Sequence, residues 1–178
     1  EAIAVSHRTG SLEIGDTALA CAVNSGISLQ KLRASVLSGV DANSSFFGVV
    51  MTSGRLNVNR TVQFALENDS TPPAPAENFR INLSEGRRVQ LAWTESGDDG
   101  MTGQASLREI FFTDSVSNEK FLVAADRAAQ PGSSFSTFVS VPFKHTTGQL
   151  SIHITDNVGN TSTASVNVTV AADVADPY

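Results

Sequence analysis

Cysteine is almost absent. Cys21 stands alone among 178 residues, which excludes an internal disulfide and leaves the redox compartment unread. Charged side chains are sparse too, at 17%, and the 18 acidic residues outnumber the 12 basic ones to give a net charge of −6. Nucleic-acid partners and anionic membrane surfaces call for clustered positive charge, so that balance argues against both. Arg87-Arg88 is the only adjacent basic pair, and it reads as the start of a strand. No apolar run approaches a membrane span, so membrane insertion is not expected, and the residues from Glu1 do not open a signal peptide. A chain opening on Glu rather than Met reads as a fragment or a processed product. With one Trp and one Tyr, few aromatics are left for a binding face: Trp93 is expected inside and Tyr178 is terminal.

What is plentiful is Ser, Thr, Asn and Gly, the texture of secreted bacterial-type β modules. The period of the apolar residues changes near Pro72. Before it they recur at helical spacing, and after it they alternate at strand spacing. The join, Asp69-Ser70-Thr71-Pro72-Pro73-Ala74-Pro75-Ala76, cannot continue a helix and favours an extended linker. The expected organisation is a helical piece over 1–68, a linker over 69–76 and a β module over 77–172. About 70 residues is marginal for a lone core, whereas roughly 100 residues suffice for the β module.

In the helical piece, Asp16 to Val23 reads as a short apolar helix stopped by Asn24-Ser25-Gly26. Ser28 caps a second, with Leu29, Leu32, Val36 and Leu37 on one face and Gly39 at its end. Asp41 to Ser45 reads as a loop before the apolar patch Phe46-Phe47-Gly48-Val49-Val50. A third helix follows Asn57, its buried side expected at Val58, Val62, Ala65 and Leu66. Three small helices with this much apolar surface need something to cover them. The β module is one reading of that cover, and the missing body of a larger fold is the other.

The β module alternates segment after segment. Phe79, Ile81 and Leu83 share a face, then Val89, Leu91 and Trp93, then Ile110 and Phe112, then Phe121 and Val123. Val139, Val141 and Phe143 follow, then Leu150, Ile152 and Ile154, and last Ala164, Val166, Val168 and Val170. Seven such strands predict a mainly β chain: a seven-stranded sandwich preceded by a small helical segment.

In such a sandwich the loops after the second and sixth strands emerge at one end. Asp98 and Asp99 would then approach Asp156, Asn157 and Asn160. Carboxylate and amide oxygens on loops suit Ca²⁺, making it the cofactor candidate and these five residues its ligands. The competing expectation is that the same residues only shape turns, their side chains bonding local backbone. Sequons occur at Asn43, Asn59, Asn68, Asn82, Asn160 and Asn167, and they matter only in a eukaryotic source.

Two resemblances sharpen this picture. Trp93-Thr94-Glu95-Ser96-Gly97-Asp98-Asp99-Gly100 and Thr155-Asp156-Asn157-Val158-Gly159-Asn160-Thr161 resemble fibronectin type III and bacterial immunoglobulin-like modules. In the helical piece, Ala18 to Ser28 resembles the helix following the nucleophile in subtilisin-like serine peptidases. Leu32 to Asp41 resembles their next helix, and Thr52-Ser53-Gly54-Arg55-Leu56-Asn57 the turn before their last. The likeness runs over roughly residues 16–67 and implies that this piece closes a catalytic domain using Ser acylation, a His base, a supporting Asp and an oxyanion hole. It places Ser6 near the nucleophile position. The family's Gly-Thr before that position and Pro after it are absent, and no Asp or His motif can be assigned, so no catalytic residue is assigned here. His7, His145 and His153 read as ordinary surface or core-edge histidines.

Three functions follow. The chain is the C-terminal part of a secreted subtilisin-like endopeptidase, inactive by itself and partnered by the rest of a catalytic domain; or an extracellular module binding a protein or polysaccharide; or a degenerate protease relative kept for binding. All three place it outside the cell or on its surface.

Overall fold

The structure, a computed structural model, describes residues 24–46, 49–50 and 52–171. The expected helix over 16–23, and with it Ser6, His7 and Cys21, lies outside the described residues. Ser28 caps helix α1 (Leu29–Ser38) as expected, its hydroxyl accepting the Lys31 N–H at 3.1 Å. The stretch read as a loop instead begins a short hairpin: β1 (Val40–Ala42) pairs antiparallel with β2 (Gly54–Leu56). Three-residue strands are too short to show a period of two, so alternation cannot reveal them. Gly54 is required here, because a Cβ would stand 2.6 Å from the Asp41 carbonyl oxygen. Asn57 then caps α2 (Val58–Leu66) by accepting the Arg60 N–H, and its amide donates to both oxygens of Asp41 at 3.0 Å.

The helices meet through a small cluster of Leu32, Val36 and Ala65, with Ile27 and Leu56 at its edge. The buried side of α2 differs from the expected one. Thr61 and Ala65 face inward, while Val58 and Leu66 are 39% and 56% exposed. Leu29 is likewise exposed at 66%. The cause is the close approach of the α1 C-cap: a Cβ on Gly39 would stand 2.3 Å from the Thr61 hydroxyl. That contact turns α2 so that its small side chains face α1 and its larger ones do not.

The sandwich follows the expected plan. β3 (Glu77–Glu85), β4 (Arg88–Thr94) and β7 (Ser134–Ser140) form one antiparallel sheet in the order β3-β4-β7. β5 (Leu107–Asp114), β6 (Lys120–Arg127), β8 (Thr147–Thr155) and β9 (Thr161–Thr169) form the other, in the order β6-β5-β8-β9. Val89, Leu91, Phe112, Leu150, Ile152 and Ile154 are fully buried between the sheets, with Trp93 and Ile110 at 2% exposure. Two expected core residues are not inside. Leu83 lies beyond a register shift between Ile81 and Leu83, which throws it to the outer face, 41% exposed. Phe143 is 67% exposed because β7 ends at Ser140, before Pro142. Arg88 opens β4 as expected. Arg87 instead clamps the β7–β8 loop, donating to the carbonyls of Val141, Pro142 and His145.

The helical piece docks on the outer face of the four-stranded sheet. Arg33 of α1 forms a two-point ion pair with Glu109 of β5, at 2.6 and 3.2 Å, and the Glu109 side chain is only 9% exposed. At the β8–β9 turn, Gly159 sits with φ near +100° against the backbone of Gln30 and Lys31, where a Cβ would come within 3.1 Å. Gly132, at φ near +79°, has open space around it. Gly132→Ala therefore carries only the left-handed backbone penalty, about 1 kcal/mol, whereas Gly159→Ala adds the clash with α1 and loses about 2–3 kcal/mol. Urea unfolding of the two variants measures the difference, and equal losses would mean that α1 does not press on this turn.

The β5–β6 turn is organised by Asp114. Its carboxylate accepts the N–H groups of Ser117 and Val116 and the Ser117 hydroxyl, and His145 Nδ1 lies 3.1 Å away. The Ser117 backbone N–H leads these contacts in holding the carboxyl down near 2. A depressed carboxylate stabilises the fold above its unfolded pKa and loses that contribution as the pH falls through the folded value. Stability should thus decline between about pH 4 and pH 2, and Asp114→Asn should flatten that decline while lowering stability at pH 7. Thermal melts across this range check it.

Candidate functional site at the joint between helices and sandwich

Three segments converge where the helical piece meets the sandwich. The C-terminal end of α2 brings Glu67 and, two residues on, Asp69. The β4–β5 loop brings Asp98 and Asp99, and the tight β8–β9 turn brings Asp156, Asn157 and Asn160. The expected meeting of the last two loops therefore occurs. Proline-rich backbone anchors the first of them, with Gly100 donating to the Pro72 carbonyl and accepting from Ala74.

Asp156 is fully buried and serves the turn. One oxygen accepts the N–H groups of Val158, Gly159 and Asn160 at 2.7–2.9 Å, and the other accepts the Asn160 amide at 2.8 Å. This is the turn-shaping role weighed against metal binding. Burial still pushes its carboxyl upward, against the pull of those donors. Asn160 also donates to the Asp69 carbonyl at 3.3 Å. Asn157 is 9% exposed and donates to the Glu67 carboxylate at 2.6 Å, tying the end of α2 to the sandwich.

Asp98 is the strained member. Burial, then the charges of Asp156, Asp99, Asp69 and Glu67, push its carboxyl up to about 6. Its Oδ1 is sequestered from solvent with no hydrogen-bond partner, and so is Oδ1 of Asn157. Among the described residues, no three His, Cys, Asp or Glu side chains already stand close enough to share a metal ion. Of the five expected ligands, Asp98 and Asn157 thus have oxygens left over, Asp156 does not, and Asp99 is exposed at the rim. Sequence reasoning misses Glu67 and Asp69, since it places the first in the helical piece and the second in the linker. Their spacing from the C-terminus of α2 carried the only hint.

Arg108, 5% exposed, pairs with the buried Glu95 and with Asp126 and lies 3.7 Å from the centre of the Phe135 ring. It lines a cavity of about 180 Å³ between β6 and β7 with Ala124, Asp126, Phe135 and Ser136. His153 sits half-buried on the outer sheet face beside Phe111 and Lys120, where burial and then the Lys120 charge hold its pKa down. Ser117, His145 and Asp114 lie together, yet serine and imidazole both address the same carboxylate. A triad needs the imidazole between serine and acid, so this grouping has no path for a serine proton.

No family model matches the chain, and no curated protein does. Among solved structures, it is similar to the fibronectin type III domain of human fibronectin type III domain containing protein 3, at 9% identity and a TM-score of 0.42, over 62% of this chain and 97% of that one. The Clostridium perfringens spore cortex lytic enzyme SleM matches at 13% identity and a TM-score of 0.39, over 55% of this chain and 28% of that one. T. fusca AA10A matches at 9% identity and a TM-score of 0.38, over 64% of this chain and 59% of that one. None of these carries an activity over to this chain. The β-sandwich rests on its own strand order.

Proposed function

We propose that this chain is the C-terminal part of a secreted subtilisin-like serine endopeptidase, its helices closing the catalytic domain and its sandwich an accessory module. One observation carries the reading: Val58 and Leu66, at the two ends of α2 and eight residues apart, leave an apolar side uncovered, and Leu29 of α1 is uncovered as well. Helix residues four apart share a face, so Val62 belongs to the same stripe. Such a stripe, on the side of α2 turned away from α1, fits a domain whose other layer lies elsewhere. The Gly-Arg-Leu-Asn turn supports it from a second side. Its Gly54 is sterically required, its Leu56 packs beside Leu32, Val36 and Ala65, and its Asn57 both caps α2 and binds Asp41.

By itself the chain is expected not to hydrolyse peptides, since no complete triad can be assigned in its sequence. A fluorophosphonate probe should leave it unlabelled, and stoichiometric labelling of Ser6 would overturn that. A further pair of variants tests the uncovered stripe. Val58→Ser with Leu66→Ser should cost the isolated chain no more than about 0.5 kcal/mol, the range of surface changes, yet destabilise the full-length parent by about 2–4 kcal/mol. An equal effect in both would mean that nothing packs there.

The second reading is an extracellular binding or adhesion module. It is favoured by the outer face of the three-stranded sheet, where Leu83, Gln90 and Phe138 fall in one row and Arg88 lies 4.0 Å over the exposed Phe138 ring. Arg88→Ala with Phe138→Ala should abolish retention on an extracellular polysaccharide or protein that holds the unmodified chain, and unchanged retention would remove this reading.

A further inference from the structure

We propose that the margin of the sandwich between β6 and β7 docks an extended peptide. The peptide adds a strand to β7 and seats a Lys or Arg side chain in the cavity beside Arg108. The inference rests on neither reading above and on no parent protein.

Four strands end the two sheets, β3 and β7 in one and β6 and β9 in the other. Exposed edges are ordinarily guarded by charged side chains, bulges or a covering segment. β3 carries Glu77, Arg80 and Glu85 and two register shifts. β6 carries Lys120, Asp126 and Arg127 and one shift. β9 lies against β3, and its Ser162 hydroxyl donates to the Ala74 carbonyl at 2.8 Å. β7 has none of these guards: Ser134 to Ser140 holds no charge and no proline, and its register with β4 is unbroken. No described segment pairs with its other side.

The backbone groups left free on β7 follow from its ladder. The Glu95 N–H donates to the Ser133 carbonyl, and the Val141 N–H to the Arg87 carbonyl. Hydrogen-bonded pairs alternate along an antiparallel ladder, so Phe135, Thr137 and Val139 bond to β4. Ser134, Ser136 and Phe138 then direct N–H and C=O away from it, at the spacing that an added strand takes up.

The cavity decides what that strand carries. Phe135 and Thr137 line it from β7. Neighbouring strands keep one alternation, so every second side chain of a strand beside β7 points between the sheets into this space. At about 180 Å³ the cavity is smaller than the about 300–1,000 Å³ of small-molecule sites and suits a single side chain. Ile110 and Ala124 make it apolar on one side, and Arg108 and Asp126 make it ionic on the other. Arg108 donates to Glu95 and, at 3.2 Å, to Asp126, so one guanidinium faces two carboxylates. Glu95 is fully buried, and its Oε2 has no hydrogen-bond partner. The cluster is one positive charge short. A cationic head on an aliphatic stem matches both the charge and the apolar wall. Asp126, its side chain 44% exposed, is the carboxylate within its reach. A second copy of β7 brings no cation, which disfavours edge-to-edge pairing of two chains.

Panning a phage-displayed library of random linear octapeptides on the whole chain tests the proposal. Enriched peptides should carry Lys or Arg at one position among β-branched or aromatic neighbours, and their synthetic versions should bind. Ser136→Pro removes an outward N–H and leaves the β4 ladder intact, so it should weaken binding about tenfold. Its thermal melt checks that the fold persists. Asp126→Asn should erase the preference for a basic peptide over the same peptide with Met in that place. Glu85→Gln, on β3, should change neither property. Amide hydrogen exchange on the unmodified chain needs no variant: bound peptide should slow exchange at Ser134, Ser136 and Phe138. Failure to enrich any peptide, a consensus without a basic residue, or those three amides left unprotected would each overturn the proposal. So would binding that survives Ser136→Pro in a folded protein, a basic preference that survives Asp126→Asn, or two chains pairing through β7.

Discussion

The two-point contact with β5 is the constraint that places the described helices. Among the described residues their own cluster has three buried members, Leu32, Val36 and Ala65. A core that small offsets little of the entropy lost in ordering the segment. The two-point pair between Arg33 and the nearly buried Glu109, with Gly159 pressed on α1, supplies what is missing. Removing either charge would strand the other against the sheet, a penalty of about 1–3 kcal/mol. Because that docking sets where α2 ends, it also brings Glu67 and Asp69 to the β4–β5 and β8–β9 loops. The acidic joint is a consequence of it.

The sandwich by contrast has a large core of its own. Its interior runs from Val89 and Leu91 across to Leu150, Ile152 and Ile154, closed at one end by Trp93 between Phe79 and Phe135. Arg108 and Glu95, both buried there, form an ion pair that leaves one Glu95 oxygen without a hydrogen-bond partner. The chain thus joins a sandwich with a large core to helices whose described core is small. The joint is the one place where two separately patterned parts had to be fitted together.

Particular residues show how far the sequence could be read. Alternation located all seven sandwich strands because a half-buried strand repeats every two residues. It failed at Leu83, where one register shift reverses every side chain beyond it, and at Phe143, which follows the end of its strand. The capping serine marked the start of α1 at Ser28, and the structure adds Asn57 as the cap of α2. Helical spacing could not say which side of α2 faces α1, since Val58, Val62, Ala65 and Leu66 form as good a stripe as Thr61 and Ala65. The close approach of Gly39 made that choice.

Periodicity and turn chemistry are local properties, so the chain itself determined its β architecture, its helix starts and the pairing of the β4–β5 and β8–β9 loops at one end. Charge neighbours and docking faces arise between residues far apart in sequence. Arg33 finds Glu109 across 76 positions and Asn157 finds Glu67 across 90. Only the tertiary structure could decide that Asp156 belongs to its turn, that Asp98 is left with an unanswered oxygen, and that the end of α2 is drawn into the same site.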